Sequence, residues 1–253
     1  FSIKSFLMNN FKIDINVDLG EGLNNEPQLM PFISSCNIAC GGHAGSYETM
    51  KNVVNMAKQY DVKIGAHPSF PDIENFGRLP MEISHEKLYE SIKSQLHDLL
   101  KVINEEHAII HHIKPHGALY NRAAVDKKIA AIIIEAVKSI SLPIKLYVPY
   151  KSVIADLAKK NNIETFYEAF ADRNYNDDLS LVSRNKQNAL INDKNAIVTH
   201  VLKMIISQKV TTISGKEIPI KADTFCIHGD NPKAVSLVKY LKNTIEEKGI
   251  NIR

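Results

Sequence analysis

The sequence predicts a parallel β/α barrel of seven strands, and three observations predict it. Seven short runs rich in β-branched residues alternate with longer segments of helical period along the whole chain. Polar side chains gather where nearly every one of these runs ends. No glycine-rich dinucleotide fingerprint follows the first run, so an open dinucleotide-binding sheet loses ground. The chain has 253 residues, 44% of them hydrophobic, and a barrel of about 250 residues commonly forms one domain. A single domain over residues 1–253 is expected.

The candidate strands are KIDINV (12–17), SSCNIA (34–39), VKIGA (62–66), AIIHHIK (108–114), IKLYV (144–148), ETFYEAF (164–170) and DTFCIH (223–228). Between them the apolar spacing is helical. In a helix opening near Ser84, residues Leu88, Ile92, Leu96, Leu99 and Ile103 form one stripe. The last helix carries Asn231 as N-cap, Pro232 at its first position and Gly249 near its end. SGK within VTTISGKEIPIK (210–221) predicts a small hairpin before the last strand.

Charge and cysteine use narrow the function classes. Lys plus Arg is 31 and Asp plus Glu is 28, a formal charge of +3, too small an excess to predict a nucleic-acid or acidic-membrane partner. No apolar stretch approaches the roughly 20 residues of a membrane span. Cys36, Cys40 and Cys226 are an odd set without redox or zinc-knuckle spacing, which points to a reducing, cytoplasmic setting. The start has no signal-peptide pattern; Phe1 with Met8 following points to a leader or appended segment over residues 1–7. Nothing in the sequence decides between a monomer and a homo-oligomer.

The residues that could carry chemistry follow the runs. Asp18 and Glu21 lie in NVDLGEG, Asn37 and His43 in CNIACGGHAG, and His67 in GAHPSF. Arg78 follows in NFGR, Lys114 and His116 in IKPHGALYN, Glu168, Asp172 and Arg173 in EAFADRNY, and His228 and Asp230 in CIHGDNP. Taken singly, these are also what caps, turns and ion pairs use. Their recurrence at the same end of six runs favours function, because in a parallel barrel all carboxyl ends of strands open on one face. His111 and His112 point opposite ways on one strand, and structural roles are expected for both.

The segments DINVDLGEG, SSCNIACGGHAG, IGAHPSFPD, NFGR, IKPHGALYN, EAFADRNY and CIHGDNP, in this order from Asp14 to Pro232, closely resemble the LamB/YcsF family. The resemblance implies a seven-stranded β/α barrel of the glycoside hydrolase/deacetylase type. It implies the A subunit of a bacterial 5-oxoprolinase, working with partner subunits PxpB and PxpC. The implied reaction opens 5-oxo-L-proline to L-glutamate while ATP becomes ADP and phosphate. Three positions depart from the family pattern. Gly42 stands where a bulky residue is usual, Leu79 where a second basic residue is usual, and Leu179 where glycine is typical. If that last turn needs positive φ, Leu179 is strained.

A lactam is a poor electrophile because the amide is resonance-stabilised, and phosphorylating its oxygen is the logical use of ATP. Asp18, Glu21 and Asp172 are the candidates to activate water or the lactam nitrogen. His43, His67, His116 and His228 are the candidates to move protons, with Lys114 beside them as a cation. Asn37, Arg78, Glu168, Arg173 and Asp230 are the candidates for holding substrate. No GxxxxGK[ST] phosphate loop is present, so ATP binds at another kind of site or with help from partners. Two other readings stay open. One is a metal-dependent hydrolase or deacetylase with a divalent metal on Asp18, His43 and His67. The other is a non-catalytic subunit that presents the lactam.

Overall fold

The structure, a computed structural model, describes residues 11–252. The expected leader or appended segment at residues 1–7 lies outside the described residues.

Strand β1 (Lys12–Leu19) shows how the sequence builds the barrel. In KIDINVDL, apolar and polar residues alternate with the two-residue period of a strand. Asp14 and Asn16 bond Ser35 and Asn37 of the neighbouring strand, and Asp18 accepts from Lys114 inside the barrel. Ile13, Ile15, Val17 and Leu19 therefore face the opposite way, into the apolar layer beneath the helices. Barrel interiors are usually filled by branched aliphatic residues. This one is polar.

Strands β2 (Ser35–Ala39), β3 (Lys63–His67), β4 (Ile110–Ile113), β5 (Lys145–Pro149) and β6 (Thr165–Phe170) follow β1 in order, each parallel to the last. The hairpin of β7 (Lys209–Thr211) and β8 (Glu217–Pro219) comes next, antiparallel as expected. Strand β9 (Thr224–Cys226) then pairs with β6 on one side and β1 on the other, closing a seven-stranded parallel barrel. A short strand, β10 (Asn251–Ile252), lies beside the start of β1.

The helices are α1 (Glu26–Leu29), α2 (Tyr47–Gln59), α3 (His85–Glu105), α4 (Gly117–Ala123), α5 (Lys127–Lys138), α6 (Val153–Lys160), α7 (Lys194–Ser207) and α8 (Ala234–Glu247). Most of their starts are set by side-chain caps that satisfy otherwise orphaned N–H groups. The oxygens of Ser46, Ser84, Ser152 and Asp193 accept from Thr49, Lys87, Ala155 and Ala196. The predicted stripe of α3 is fully buried. Helix α8 starts later than its punctuation predicts. The sequence puts Asn231 at the cap and Pro232 at the first position, but Lys233 precedes the first helical residue, Ala234. The Asn231 side chain instead accepts from Lys233 N at 2.9 Å, a local turn that competes with capping.

Candidate active site at the barrel mouth

The carboxyl ends of the strands open into a cavity of about 780 Å³. Asp18 and Glu21 reach it from the end of β1, His67 from β3, Lys114 and His116 from β4, Glu168 from β6, and His228 from β9. Arg78, Arg173 and Asp230 line it too. Asn37, His43 and Asp172 lie one layer behind, each bonded to a residue that lines it.

Lys114 sits at the floor. Its ammonium lies 2.8 Å from Asp18 Oδ1 and 2.9 Å from Glu168 Oε1, with Asn16 Oδ1 at 3.3 Å and Cys226 Sγ at 3.2 Å. Only 2% of the side chain is exposed. Burial disfavours the charged amine, but Asp18, Cys226 and Glu168 outweigh it and hold its pKa well above the usual lysine range. Burial likewise pushes the Asp18 carboxyl up, and His67 and Lys114 pull it well below its usual value. The site thus keeps a fixed positive charge clasped between carboxyl groups. The surface ion pair that the sequence alone would allow for Lys114 does not occur.

Beneath this layer Asn37 spends its whole amide inside the protein. Its nitrogen donates to Asn16 Oδ1 and Asp18 Oδ1, both at 2.8 Å, and its oxygen meets His112 Nε2 at 2.7 Å. It therefore orients Asp18. His112 occupies room that only glycine leaves: a Cβ on Gly65 would lie 2.1 Å from its Nε2. Burial holds the His112 ring well below the ordinary histidine pKa. It is fully buried and bonded to Asn37.

Three imidazoles near the cavity are packed together. His43 stacks on His116 with centroids 3.7 Å apart, and His67 meets His116 edge-on at 4.8 Å. His67 Nδ1 lies 2.7 Å from the Lys114 carbonyl, and His116 Nε2 lies 2.9 Å from the Phe76 carbonyl. Carbonyls only accept, so those two nitrogens carry hydrogen. The opposite nitrogens, His67 Nε2 and His116 Nδ1, face each other at 2.9 Å. Burial, reinforced by the neighbouring rings, holds His116 well below its ordinary pKa. Burial lowers His43 as well, against the opposing pull of Glu21. Glu21 Oε1 closes the group at 3.0 Å from His43 Nε2, 3.5 Å from His116 Nδ1 and 4.0 Å from His67 Nε2. Such donors suit a divalent cation, and Glu21 and His116 belong to the group while Asp18 binds Lys114 instead.

Across the cavity, Asp172 accepts from His228 Nδ1 at 2.9 and 3.1 Å and from its backbone N–H. Burial raises the Asp172 carboxyl, and His228 more than offsets it, leaving a depressed pKa. This fixes the tautomer that turns Nε2 into the acceptor. The Arg173 guanidinium donates to the carbonyls of Val182 and Ala189 and pins the loop between them. Arg78 and Arg184 both pair with Asp230 at the rim.

The family departures have structural counterparts. The space beside Gly42 is filled by Gln95 and Ser69, whose atoms would lie 2.3 and 2.4 Å from an added Cβ. Gln95 holds the Ser69 backbone by both N–H and C=O. Leu79 is exposed at the cavity rim. Leu179 adopts φ +67°, the left-handed conformation that the turn pattern foretells. Sequence reasoning passed over Gln95, Asn16 and Arg184. Asn16 was detectable as the middle polar residue of the alternating D-I-N-V-D; Gln95 and Arg184 carry no local signal.

Fold and site together define a β/α-barrel protein with a buried, hydrogen-bonded array of carboxyl, imidazole and ammonium groups at the carboxyl ends of its strands. Comparison with known proteins narrows that class. The LamB/YcsF family profile matches residues 13–253, and the chain belongs to this family. It is 44% identical over 247 residues to the A subunit of 5-oxoprolinase from Campylobacter jejuni subsp. doylei, covering 96% of this chain and 97% of that one. The corresponding protein of Histophilus somni is 41% identical over 239 residues, covering 94% and 97%. The crystal structure of the lactam utilization protein of Thermus thermophilus superposes with a TM-score of 0.89 at 34% identity, covering 96% of this chain and 99% of that one.

Proposed function

We propose that this chain is the component of an ATP-dependent 5-oxoprolinase that binds 5-oxo-L-proline and opens its ring to L-glutamate, acting with the partner subunits PxpB and PxpC. The observation that carries the reading is the buried Lys114 ammonium, aimed into a cavity large enough for a small lactam and held between Asp18 and Glu168. It is preorganised to stabilise negative charge gathering on the lactam oxygen, and needs no reorganisation as that charge develops. ATP supplies the phosphoryl group that activates the ring carbon: water adds, the C–N bond breaks to leave an acyl phosphate, and a second water releases phosphate and L-glutamate. Its binding surface is expected to be shared with the partners.

Two titratable side chains flank the cavity. His228, oriented by Asp172, takes a proton from the attacking water through Nε2. Asp18, on the opposite wall and bonded to Lys114, accepts from the ring N–H and holds the nitrogen in place as it departs. Arg78 and Arg184 at the rim suit the substrate carboxylate. Three buried free thiols accord with a reducing, cytoplasmic setting. Reconstitution with purified partners tests the reading. Glutamate is expected only with this chain, both partners, ATP and 5-oxo-L-proline present together, and glutamate formed by the partners alone would overturn it.

A further inference from the structure

We propose that Glu21, His67 and His116 hold one divalent transition-metal ion at the barrel mouth, with His43 fixing Glu21. The inference deepens the reading of this cavity as the reactive site, yet it stands on geometry of its own.

The first observation is the facing pair of nitrogens. His67 Nδ1 and His116 Nε2 are both committed to backbone carbonyls. That is the outer-shell arrangement which fixes the tautomer of metal-binding histidines. It leaves His67 Nε2 and His116 Nδ1 aimed at the same point, 2.9 Å apart. Two lone pairs cannot hydrogen-bond each other, so a positive centre belongs between or beside them.

The second observation is the carboxylate. Glu21 Oε1 lies 3.5 and 4.0 Å from those two nitrogens. Metal–nitrogen bonds of about 2.0 Å in a tetrahedral shell put neighbouring donors about 3.3 Å apart. The observed separations bracket that spacing. Two imidazoles and one glutamate form a ligand set that leaves a further position for water or substrate. Here that position opens on the cavity, which His67, His116 and Glu21 all line.

The third observation is charge. The side chains of Asp18, Glu21 and Glu168 are all nearly fully buried, and the ammonium of Lys114 pairs with Asp18 and Glu168 while Glu21 faces imidazoles. A divalent cation on Glu21 would supply the positive charge that Lys114 alone does not. Asp18 is placed to link the two, with Oδ1 on Lys114 and Oδ2 3.4 Å from His67. His43 stands behind. It bonds Glu21 Oε1 at 3.0 Å and lies flat on His116, which sets the direction of both. Nitrogen-rich donors favour zinc, cobalt or iron over magnesium and calcium, which prefer oxygen.

The test is metal content of the purified full chain after equilibration with zinc or cobalt(II) and dialysis. About one ion per chain is expected, with cobalt giving the visible absorption of a low-coordinate site, and no retention of magnesium. His67→Gln and His116→Gln should each lower retention at least tenfold, with folding verified by circular dichroism. Asp172→Asn should keep the metal, so loss of turnover in that variant is separable from loss of the ion. Thermal unfolding gives a second readout: the wild-type Tm should rise with added zinc and fall back with chelator. Wild-type protein that retains no transition metal and shows no Tm shift would overturn the proposal. Full retention in the folded His67→Gln and His116→Gln variants would overturn it equally.

Discussion

Replacing Lys114 by methionine removes the ammonium and keeps most of the side-chain volume. In the wild type, that ammonium lies 2.8 Å from Asp18 and 2.9 Å from Glu168 with 2% of the side chain exposed. At an effective dielectric of about 20, unit charges this close attract by about 6 kcal/mol. Much of that is offset by the cost of burying the charges. Removing one partner of a buried pair nevertheless costs about 3–5 kcal/mol, because the other is left uncompensated. Lys114→Met should lose that much stability at pH 7 in urea unfolding.

The loss should shrink in acid. Without Lys114, the folded-state pKa of Asp18 moves upward, so the folded chain takes up a proton before the unfolded chain does. The penalty then relaxes by as much as about 1.4 kcal/mol per pH unit as pH falls through the raised value. Adding Asp18→Asn to Lys114→Met should recover part of the loss. A deficit under about 1 kcal/mol at pH 7, or one identical at pH 7 and pH 5, would refute the reasoning, as would strictly additive single variants.

Leu179 holds φ +67°, a conformation that costs a residue with a Cβ about 1–2 kcal/mol relative to glycine. Leu179→Gly should therefore be more stable than Leu179→Ala by about 1 kcal/mol in chemical denaturation. Burial depresses the pKa of His112 well below the ordinary value and that of His200 to about 4. Their unfolded forms take protons first, so stability should decline as pH falls below about 6.5, by up to about 1.4 kcal/mol per unit for each ring. The His200 contribution should level off near pH 4, and a flat profile between pH 6.5 and 4 would contradict this. Asp172→Asn frees His228 from its tautomer and should cut turnover of the reconstituted complex about a hundredfold or more. Lactam affinity should change little, and calorimetry measures that separately.

The barrel was legible because strand and helix periods alternate along the chain, and the face was legible because polar residues follow the strands. The site was legible to the level of position. Asp18, His67, Lys114, His116, Glu168 and His228 do meet in one cavity. Partnerships were not legible. Nothing local says that Asn37 supports Asp18 or that Arg173 ties down Val182 and Ala189, since those contacts depend on register around a closed barrel. The same limit explains the metal candidates. Asp18, His43 and His67 end three consecutive strands, yet Asp18 bonds Lys114, and His116 from the fourth strand comes within 2.9 Å of His67. The late start of α8 has a different cause: Asn231 had two uses for one side-chain oxygen, and the turn took it.

The central claim is that the polar groups at this barrel mouth carry the lactam chemistry. Its most direct test is the rate of glutamate formation from 5-oxo-L-proline by the complete complex containing folded Asp18→Asn in place of the wild-type chain. A fall of about a hundredfold or more with 5-oxo-L-proline still bound is predicted. Wild-type turnover by that complex would contradict the account and leave this chain as a carrier of the lactam alone.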